Sequence, residues 1–210
     1  TKQFTSPINV AIPSGNFGNA YSAWFGRTHG LPINEILCST NVNDVLRRFI
    51  NGGLLEPLVT EPSVAPSMDI QIPSSLERLI FDLSSDAKSF YDQLQTNSKA
   101  QLDEKSVGGL QDVFSSITFT DEMIKTLITS LHDDFDIIFD PHSVTSVQMA
   151  LDNNSTLPTV AVATASPEKF GNVISPLING FTESKIDEKE QYLTLSTENV
   201  EIIEAIKAFI

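Results

Sequence analysis

The sequence predicts an α/β fold with an open, mostly parallel sheet and helices on both faces. Over residues 9–53, short apolar runs rich in β-branched residues alternate with segments of helical periodicity, a pattern typical of strand–helix–strand units. Hydrophobic residues make up 40% of the 210-residue chain, so a packed core on the sheet is possible.

The first strand and the first helix are joined by a glycine-containing turn. Residues 9–12 are apolar and are followed by Pro-Ser-Gly at 13–15, which predicts a strand and then a turn. A helix is expected over 19–29, because a glycine and a proline follow it.

A second strand and helix follow directly. Residues 35–39 predict the strand. The apolar residues of 42–50 recur at helical spacing, and two glycines at 52–53 end the helix. Asn43 is expected to cap its first turn.

The middle of the chain is less regular. Four prolines within residues 56–73 predict a long irregular connection, and such loops are often functional. Ser74 or Ser75 is expected to cap the short helix that follows. Residues 84–134 are polar and predicted to be helical, with a break at the glycine pair 108–109.

Two more strands are predicted later in the chain. Residues 135–139 and 159–163 have strand character, and the segment 143–151 between them has helical character. Together they would form another strand–helix–strand unit of the parallel sheet.

We expect one large unit and a tail. The large unit covers residues 1–180, with 84–134 as a helical insert. Residues 181–210 form the tail, which ends in an amphipathic helix over 198–210.

Composition excludes several classes of partner. The formal net charge of −14 argues against nucleic acid, and the apolar runs are too short to span a bilayer. The single cysteine, Cys38, excludes an internal disulfide and is expected to be a buried, inert thiol in a cytoplasmic protein. No cluster of His, Cys and Glu has the spacing of metal ligands, so no metal site is predicted.

The turn after the first strand is a candidate anion site. Residues 13–19 read Pro-Ser-Gly-Asn-Phe-Gly-Asn and open a helix, where free N–H groups and the helix dipole favour an anion. The pattern is neither the dinucleotide fingerprint nor a Walker loop. Taken alone, it fits a phosphate site and a tight structural turn equally well.

Two other segments follow predicted strands. Thr164 and Ser166 lie where ligands of parallel sheets collect, although capping of the next helix explains them better. His142 is a candidate proton carrier or ligand, but a lone histidine at such a turn is more often a hydrogen-bonded structural residue.

A series of short blocks resembles the threonine synthases, enzymes of fold type II that depend on pyridoxal 5'-phosphate (PLP). The similarity is strong over residues 7–83, poor over 84–134 and moderate over 135–174. The blocks are Ser14–Asn19, Gly30–Ile33, Thr40–Phe49, Ala65–Ile70, Leu76–Leu79, Asp140–His142 and Ala163–Phe170.

The resemblance implies a fold like that of the tryptophan synthase β subunit and a bound PLP. Thr164 would bond the pyridine nitrogen. The PLP phosphate would be surrounded by Gly15, Asn16, Phe17, Gly18 and Asn19.

The resemblance also implies a reaction. Threonine synthases convert O-phospho-L-homoserine and water to L-threonine and phosphate, so the expected partner is a small phosphorylated amino acid. Arg48, Arg78 and Asp69 lie in matching blocks and would contact this substrate, although surface salt bridges explain the arginines equally well. The resemblance gives no indication of oligomeric state.

The family's catalytic lysine, which binds the cofactor covalently, lies upstream of the phosphate loop. None of the lysines here lies in a matching motif. We therefore expect a fragment that lacks the N-terminal part of its own chain and is inactive alone.

Two departures from the family pattern predict altered activity or substrate preference. Ser166 replaces a histidine, and the glycine expected after Asp140-Pro141-His142 is absent. Two alternatives therefore stay open. One is a threonine synthase-like phospho-lyase that releases a 2-keto acid, and the other is a non-catalytic PLP-binding or interaction protein.

Overall fold

The computed structural model describes residues 6–84 and 86–182, and in these parts six strands form two sheets. The larger sheet has the order β5-β2-β1-β6 with every pair parallel, and β3 and β4 form a small antiparallel pair. The strands are β1 (Ile8–Pro13), β2 (Ile33–Thr40), β3 (Leu54–Leu55), β4 (Ala100–Gln101), β5 (Phe114–Thr118) and β6 (Thr159–Ala161).

Eight α-helices lie in the described residues, together with 3₁₀ turns at Pro66–Met68 and Pro167–Phe170. The helices are α1 (Gly18–Thr28), α2 (Val45–Gly52), α3 (Leu76–Leu83), α4 (Ala87–Asn97), α5 (Glu104–Gln111), α6 (Asp121–Phe135), α7 (Ser143–Leu151) and α8 (Gly171–Ile174).

The parallel sheet has a hydrophobic core on each face. Successive side chains of a strand point to opposite faces, and accordingly Ile36 and Cys38 join one core while Leu37 joins the other. The first core contains residues of α1 to α5, and the second contains residues of α6, α7 and α8. The predicted α/β class, with helices on both faces of a parallel sheet, is confirmed.

Helix α2 shows how periodicity positions a helix. Its apolar side chains Val45, Leu46, Phe49 and Ile50 are at most 1% exposed, so they form one buried stripe. The predicted cap at Asn43 is wrong, because the helix begins one residue later and no side chain caps it. The Asn43 side chain instead bonds the connection over 56–73, as described below.

The capping predicted for α3 is also wrong. Ser75 occupies the capping position, but its side chain makes no capping hydrogen bond. Its backbone N–H donates to the carbonyl of Asn16 at 3.0 Å. The start of this helix is therefore tied to the turn after β1.

The region 84–134 is not only helical, because it contributes strand β5 to the parallel sheet. The two serines of this strand weaken its apolar pattern, and one of them, Ser116, donates its hydroxyl hydrogen to the Cys38 carbonyl at 2.7 Å. The break predicted at residues 108–109 is wrong, since both glycines lie inside α5.

The strand predicted over 135–139 is also wrong. Helix α6 continues to Phe135, and Asp136 then ends it in the left-handed conformation, with φ of 55°. Ile138 and Phe139 pack against the second core without pairing to a strand. Helix α7 lies where predicted, and β6 begins where predicted but ends at Ala161, two residues earlier than expected. Both elements follow this irregular segment.

Cys38 is fully buried on β2, as expected. Burial raises the pKa of its thiol to about 12, although a hydrogen bond with Ser14 lowers it slightly. A thiol with this pKa stays protonated at neutral pH, so the structure agrees with an inert cysteine.

The described residues include no helix long and apolar enough to cross a membrane, and no group of side chains there has the arrangement of a metal site. The predicted helix over 198–210 lies outside the described residues. The proposed division into a large unit and a tail stays a prediction.

Two neighbouring glycines at the end of α2 give a test of this packing. Gly53 has φ of 72°, and a Cβ on it would lie 2.4 Å from Val107 Cγ2, whereas a Cβ on Gly52 would meet nothing within 4 Å. We expect Gly53→Ala to lower the free energy of unfolding by about 1–3 kcal/mol. Gly52→Ala should raise it by up to about 1 kcal/mol. Urea unfolding of both variants checks this, and equal effects would contradict the structure.

Candidate functional site

The candidate site lies at the carboxyl edge of the parallel sheet. Strands β1 and β6 are neighbours and parallel, with Ala11 opposite Ala161. The segments that follow them, which contain Gly15 and Thr164, therefore leave the sheet at the same edge. This is where ligands of open α/β sheets bind.

Residues 13–20, from the last residue of β1 to the first turn of α1, are called the glycine loop below. Its Phe17 adopts the left-handed conformation with φ of 68° directly before α1. The ring of Phe17 is 1% exposed and lies 5.6 Å from that of Phe114. Burial of this ring anchors a backbone conformation that is rare for a residue with a side chain.

The glycine loop presents a row of free backbone donors. The N–H of Ser14 donates to Ser39 in β2, and the N–H of Tyr21 donates to Phe17 within α1. Between them, the N–H groups of residues 15–20 find no acceptor anywhere in the described parts of the chain. These six amides face no competing internal partner, and the positive end of the α1 dipole adds to their field.

Gly15 sits where another backbone segment approaches closely. A Cβ at this position would lie 2.5 Å from the Ser67 carbonyl oxygen and 3.1 Å from Met68 Cα. Both atoms belong to the backbone, so they cannot move aside like a flexible side chain. Glycine is required here by the 3₁₀ turn Pro66–Met68.

The acceptors of Asn16 are already occupied. Its side-chain oxygen accepts from the N–H and the hydroxyl of Ser74 at 3.4 and 3.3 Å, and its carbonyl accepts from Ser75. At Asn16, therefore, the acceptors are paired while the backbone donor stays free. Residues 13–20 line a depression of about 220 Å³ and include no charged side chain.

This donor set fits the phosphate group of a cofactor. Backbone N–H groups at a helix start bind phosphate without a cation, and the absence of a Cβ at Gly15 leaves room for the turn beside it.

Thr164 is held at the same edge by α7. Its N–H donates to Ser143 Oγ at 2.9 Å, and Ser146 Oγ donates to the Val162 carbonyl at 2.9 Å. The Thr164 side chain is exposed, and its hydroxyl has no hydrogen-bond partner among the residues described. Neither Thr164 nor Ser166 makes a side-chain cap, so the capping explanation is wrong. Ser166 donates to Glu168 instead.

Sequence reasoning missed the roles of Ser143 and Ser146. Both are at most 1% exposed, and each hydroxyl bonds the segment around Thr164. Neighbouring Thr145 lies 2.7 Å from Ser39 through their hydroxyl oxygens. A run of small hydroxyl residues at the start of α7 was the available signal.

His142 is a buried, fully hydrogen-bonded residue, the explanation that its sequence position favoured. Its ring is 3% exposed, Nδ1 lies 2.8 Å from Asp140 Oδ1, and Nε2 accepts from the Ser67 N–H at 3.1 Å. Burial raises the pKa of Asp140, but hydrogen bonds from His142 and Ser143 outweigh it and hold that pKa below its ordinary value. Asp140 is therefore ionised at neutral pH.

The residues predicted to contact substrate have partners inside the protein. Asp69 Oδ1 accepts from Asn41 at 2.6 Å and from Asn43 at 3.1 Å, which fastens the connection over 56–73 to the end of β2. Arg48 pairs with Asp44 at 2.9 Å. The Arg78 guanidinium lies 5.8 Å from the centre of the Tyr21 ring. Contacts of Asp69, Arg48 and Arg78 with a substrate stay predictions.

Comparisons with known proteins give consistent matches, although no family model matches the chain. Threonine synthase of Pseudomonas aeruginosa is 30% identical over 173 residues, covering 80% of this chain and 37% of that protein. Threonine synthase-like 1 of Homo sapiens is 30% identical over 179 residues, covering 81% of this chain and 24% of that protein.

A solved structure agrees with these matches. The crystal structure of PLP-bound threonine synthase from Brucella melitensis has a TM-score of 0.83 and 26% identity, covering 99% of this chain and 47% of that chain. The chain thus spans less than half the length of these relatives. Over that part, similarity of sequence and of fold identifies it as a relative of the threonine synthases.

Proposed function

We propose that this chain binds PLP and forms part of a PLP-dependent lyase, a threonine synthase. The observation that carries the proposal is the row of free amides at residues 15–20, on a sheet edge that also presents the free hydroxyl of Thr164. Similarity to a threonine synthase whose structure contains PLP supports the choice of anion.

In this proposal the chain's own residues bind and orient the cofactor. The amides of Gly15, Asn16, Phe17, Gly18 and Asn19 hold the phosphate, while Thr164 bonds the pyridine nitrogen. A neutral hydroxyl there favours ring protonation less than a carboxylate would. When bound, PLP supplies an electron sink for negative charge at the substrate's α carbon.

The proposed reaction is the conversion of O-phospho-L-homoserine and water to L-threonine and phosphate. Both cofactor and substrate are anions, whereas the chain has a net charge of −14. Hydrogen-bond donors at the site must therefore offset the repulsion between the negatively charged protein and its anionic ligands. The glycine loop can do so because it has free backbone N–H groups and no acidic side chain. The proposed reaction also requires a catalytic lysine, and none of the lysines of this chain lies in a motif that matches the family's catalytic lysine.

A threonine synthase-like phospho-lyase is the second candidate. It is favoured by the similarity to threonine synthase-like 1 of Homo sapiens and by Ser166, which stands where the family motif has a histidine. Its product would be a 2-keto acid and not threonine. Product analysis separates the two reactions.

Gly15→Ala tests the phosphate site. The added Cβ would overlap the Ser67 carbonyl oxygen, which lies 2.5 Å away, and would force the loop and the turn apart. We expect the affinity for PLP or inorganic phosphate to fall about tenfold or more. Calorimetric titration of the 210-residue chain measures this change.

Gly108→Ala provides the matched control. It makes the same chemical change in α5, where a Cβ would meet nothing within 4 Å, so binding should match that of the unmodified chain. Unchanged affinity in Gly15→Ala would contradict the proposed phosphate site.

The mode of PLP binding gives a further test. None of the lysines lies in a motif that matches the family's catalytic lysine, so PLP should bind this chain reversibly. After borohydride reduction, mass spectrometry should find only scattered labelling of exposed lysines, in less than one equivalent. Full labelling of one lysine would contradict this expectation.

A further inference from the structure

The His142 ring links two segments that are distant in sequence. It lies at the start of α7, and its Nε2 accepts the N–H of Ser67, 75 residues earlier in the chain. Its ring also meets the Phe170 ring edge-on, with centroids 4.9 Å apart. The imidazole therefore has defined neighbours on several sides.

The hydrogen bonds define the tautomer of this ring. Because Nε2 accepts a hydrogen from a backbone amide, the imidazole proton lies on Nδ1. That proton is donated to Asp140 Oδ1 at 2.8 Å. Asp140 is 1% exposed and also accepts from the His142 N–H at 2.9 Å, so the carboxylate orients both the ring and its backbone.

Ser67 connects this ring to the glycine loop. Its N–H is held by His142, while its carbonyl oxygen would lie 2.5 Å from a Cβ placed on Gly15. The backbone N–H of Ser67 thus contacts His142, and its backbone carbonyl oxygen lies beside Gly15. A shift of Ser67 toward or away from α7 would change the space available to the glycine loop.

The same connection is also fastened through Asp69, which directly follows the 3₁₀ turn. Asp69 Oδ2 accepts from the Ser63 N–H at 3.0 Å, and Asn41 donates to Asp69 Oδ1. The first bond lies within the connection, and the bond from Asn41 ties the connection to the end of β2. The bond to His142 ties the 3₁₀ turn to the start of α7, a second element of the fold.

We propose that His142 is a positioning residue for the phosphate site: by accepting the Ser67 N–H, it holds the 3₁₀ turn against Gly15 and keeps the free amides of residues 15–20 in register for the anion. This inference rests on the proposed function of the glycine loop. His142 does not touch the anion in this account, and it acts through Ser67 and Gly15.

Replacing His142 by glutamine or by asparagine, whose side chains differ in length, separates positioning of Ser67 from a purely structural role of the ring in packing. The side-chain amide of glutamine reaches about as far as Nε2 of histidine, so His142→Gln keeps an acceptor for Ser67. The amide of asparagine reaches only about as far as Nδ1, so His142→Asn keeps the Asp140 contact and loses the Ser67 bond. Both are made in the 210-residue chain and titrated with inorganic phosphate by NMR.

In the unmodified chain, we expect phosphate to shift the amide resonances of Gly15 and Gly18, and the Ser67 amide to be protected from hydrogen exchange. In His142→Asn, the affinity for phosphate should fall about fivefold and the Ser67 protection should be lost. His142→Gln should recover both. Thermal unfolding and circular dichroism show that the variants are compared as folded proteins.

Several results would overturn the positioning role. One is a folded His142→Asn that binds phosphate as tightly as the unmodified chain. Another is an unprotected Ser67 amide in the unmodified chain, a measurement that needs no variant. If His142→Asn does not fold, His142→Gln decides: recovered affinity and protection support the role, and a fivefold loss overturns it. Phosphate that shifts no loop amide in the unmodified chain would instead overturn the proposed function itself.

Discussion

The close approach of two backbones, at Gly15 and Ser67, is the constraint on which the rest of the site depends. It brings the 3₁₀ turn against the glycine loop and excludes any side chain at Gly15. The contact is maintained from two directions, by the Asp69 carboxylate through the end of β2 and by His142 through α7. With the turn in place, the acceptors of Asn16 bond Ser74 and Ser75, directly before α3, while the N–H groups of residues 15–20 stay free. The site is therefore built mainly from main-chain atoms, and side chains act by placing the backbone.

Helix α7 serves both halves of the site. Ser143 and Ser146 hold the segment that carries Thr164, and His142, directly before the helix, holds the turn beside Gly15. These groups are buried, and their hydrogen bonds are short-range and directional, so a displacement of α7 would move both halves together. Hydrogen bonds from one helix can thus determine the geometry of both segments of the site.

Sequence patterns predicted β1 and β2 from short apolar runs, α2 from its helical spacing, and the ends of α1 and α2 from the glycines and proline that follow them. They failed for β5, whose serines interrupt the apolar run, and for residues 135–139, where an apolar run packs without a partner strand. The glycine loop could be found as a glycine turn after a strand, yet its alternative as a structural turn stayed open. The contact of Ser67 with Gly15 and its bond to His142 join residues far apart in the chain, so no local pattern contains them.

The neighbouring strands β1 and β6 have a consequence for folding. Asn9 pairs with Thr159 across 150 positions of the chain, and this pairing brings the two loops of the site to the same edge of the sheet. Closing so long a segment is entropically costly, and parallel pairing between distant strands is slow. Local units such as β1 to α2 can form early, whereas the ligand site assembles only after β6 has paired with β1. Until then, the free edge of β1 can pair with other chains. Pairing of β6 with β1 therefore both completes the ligand site and protects this edge from aggregation.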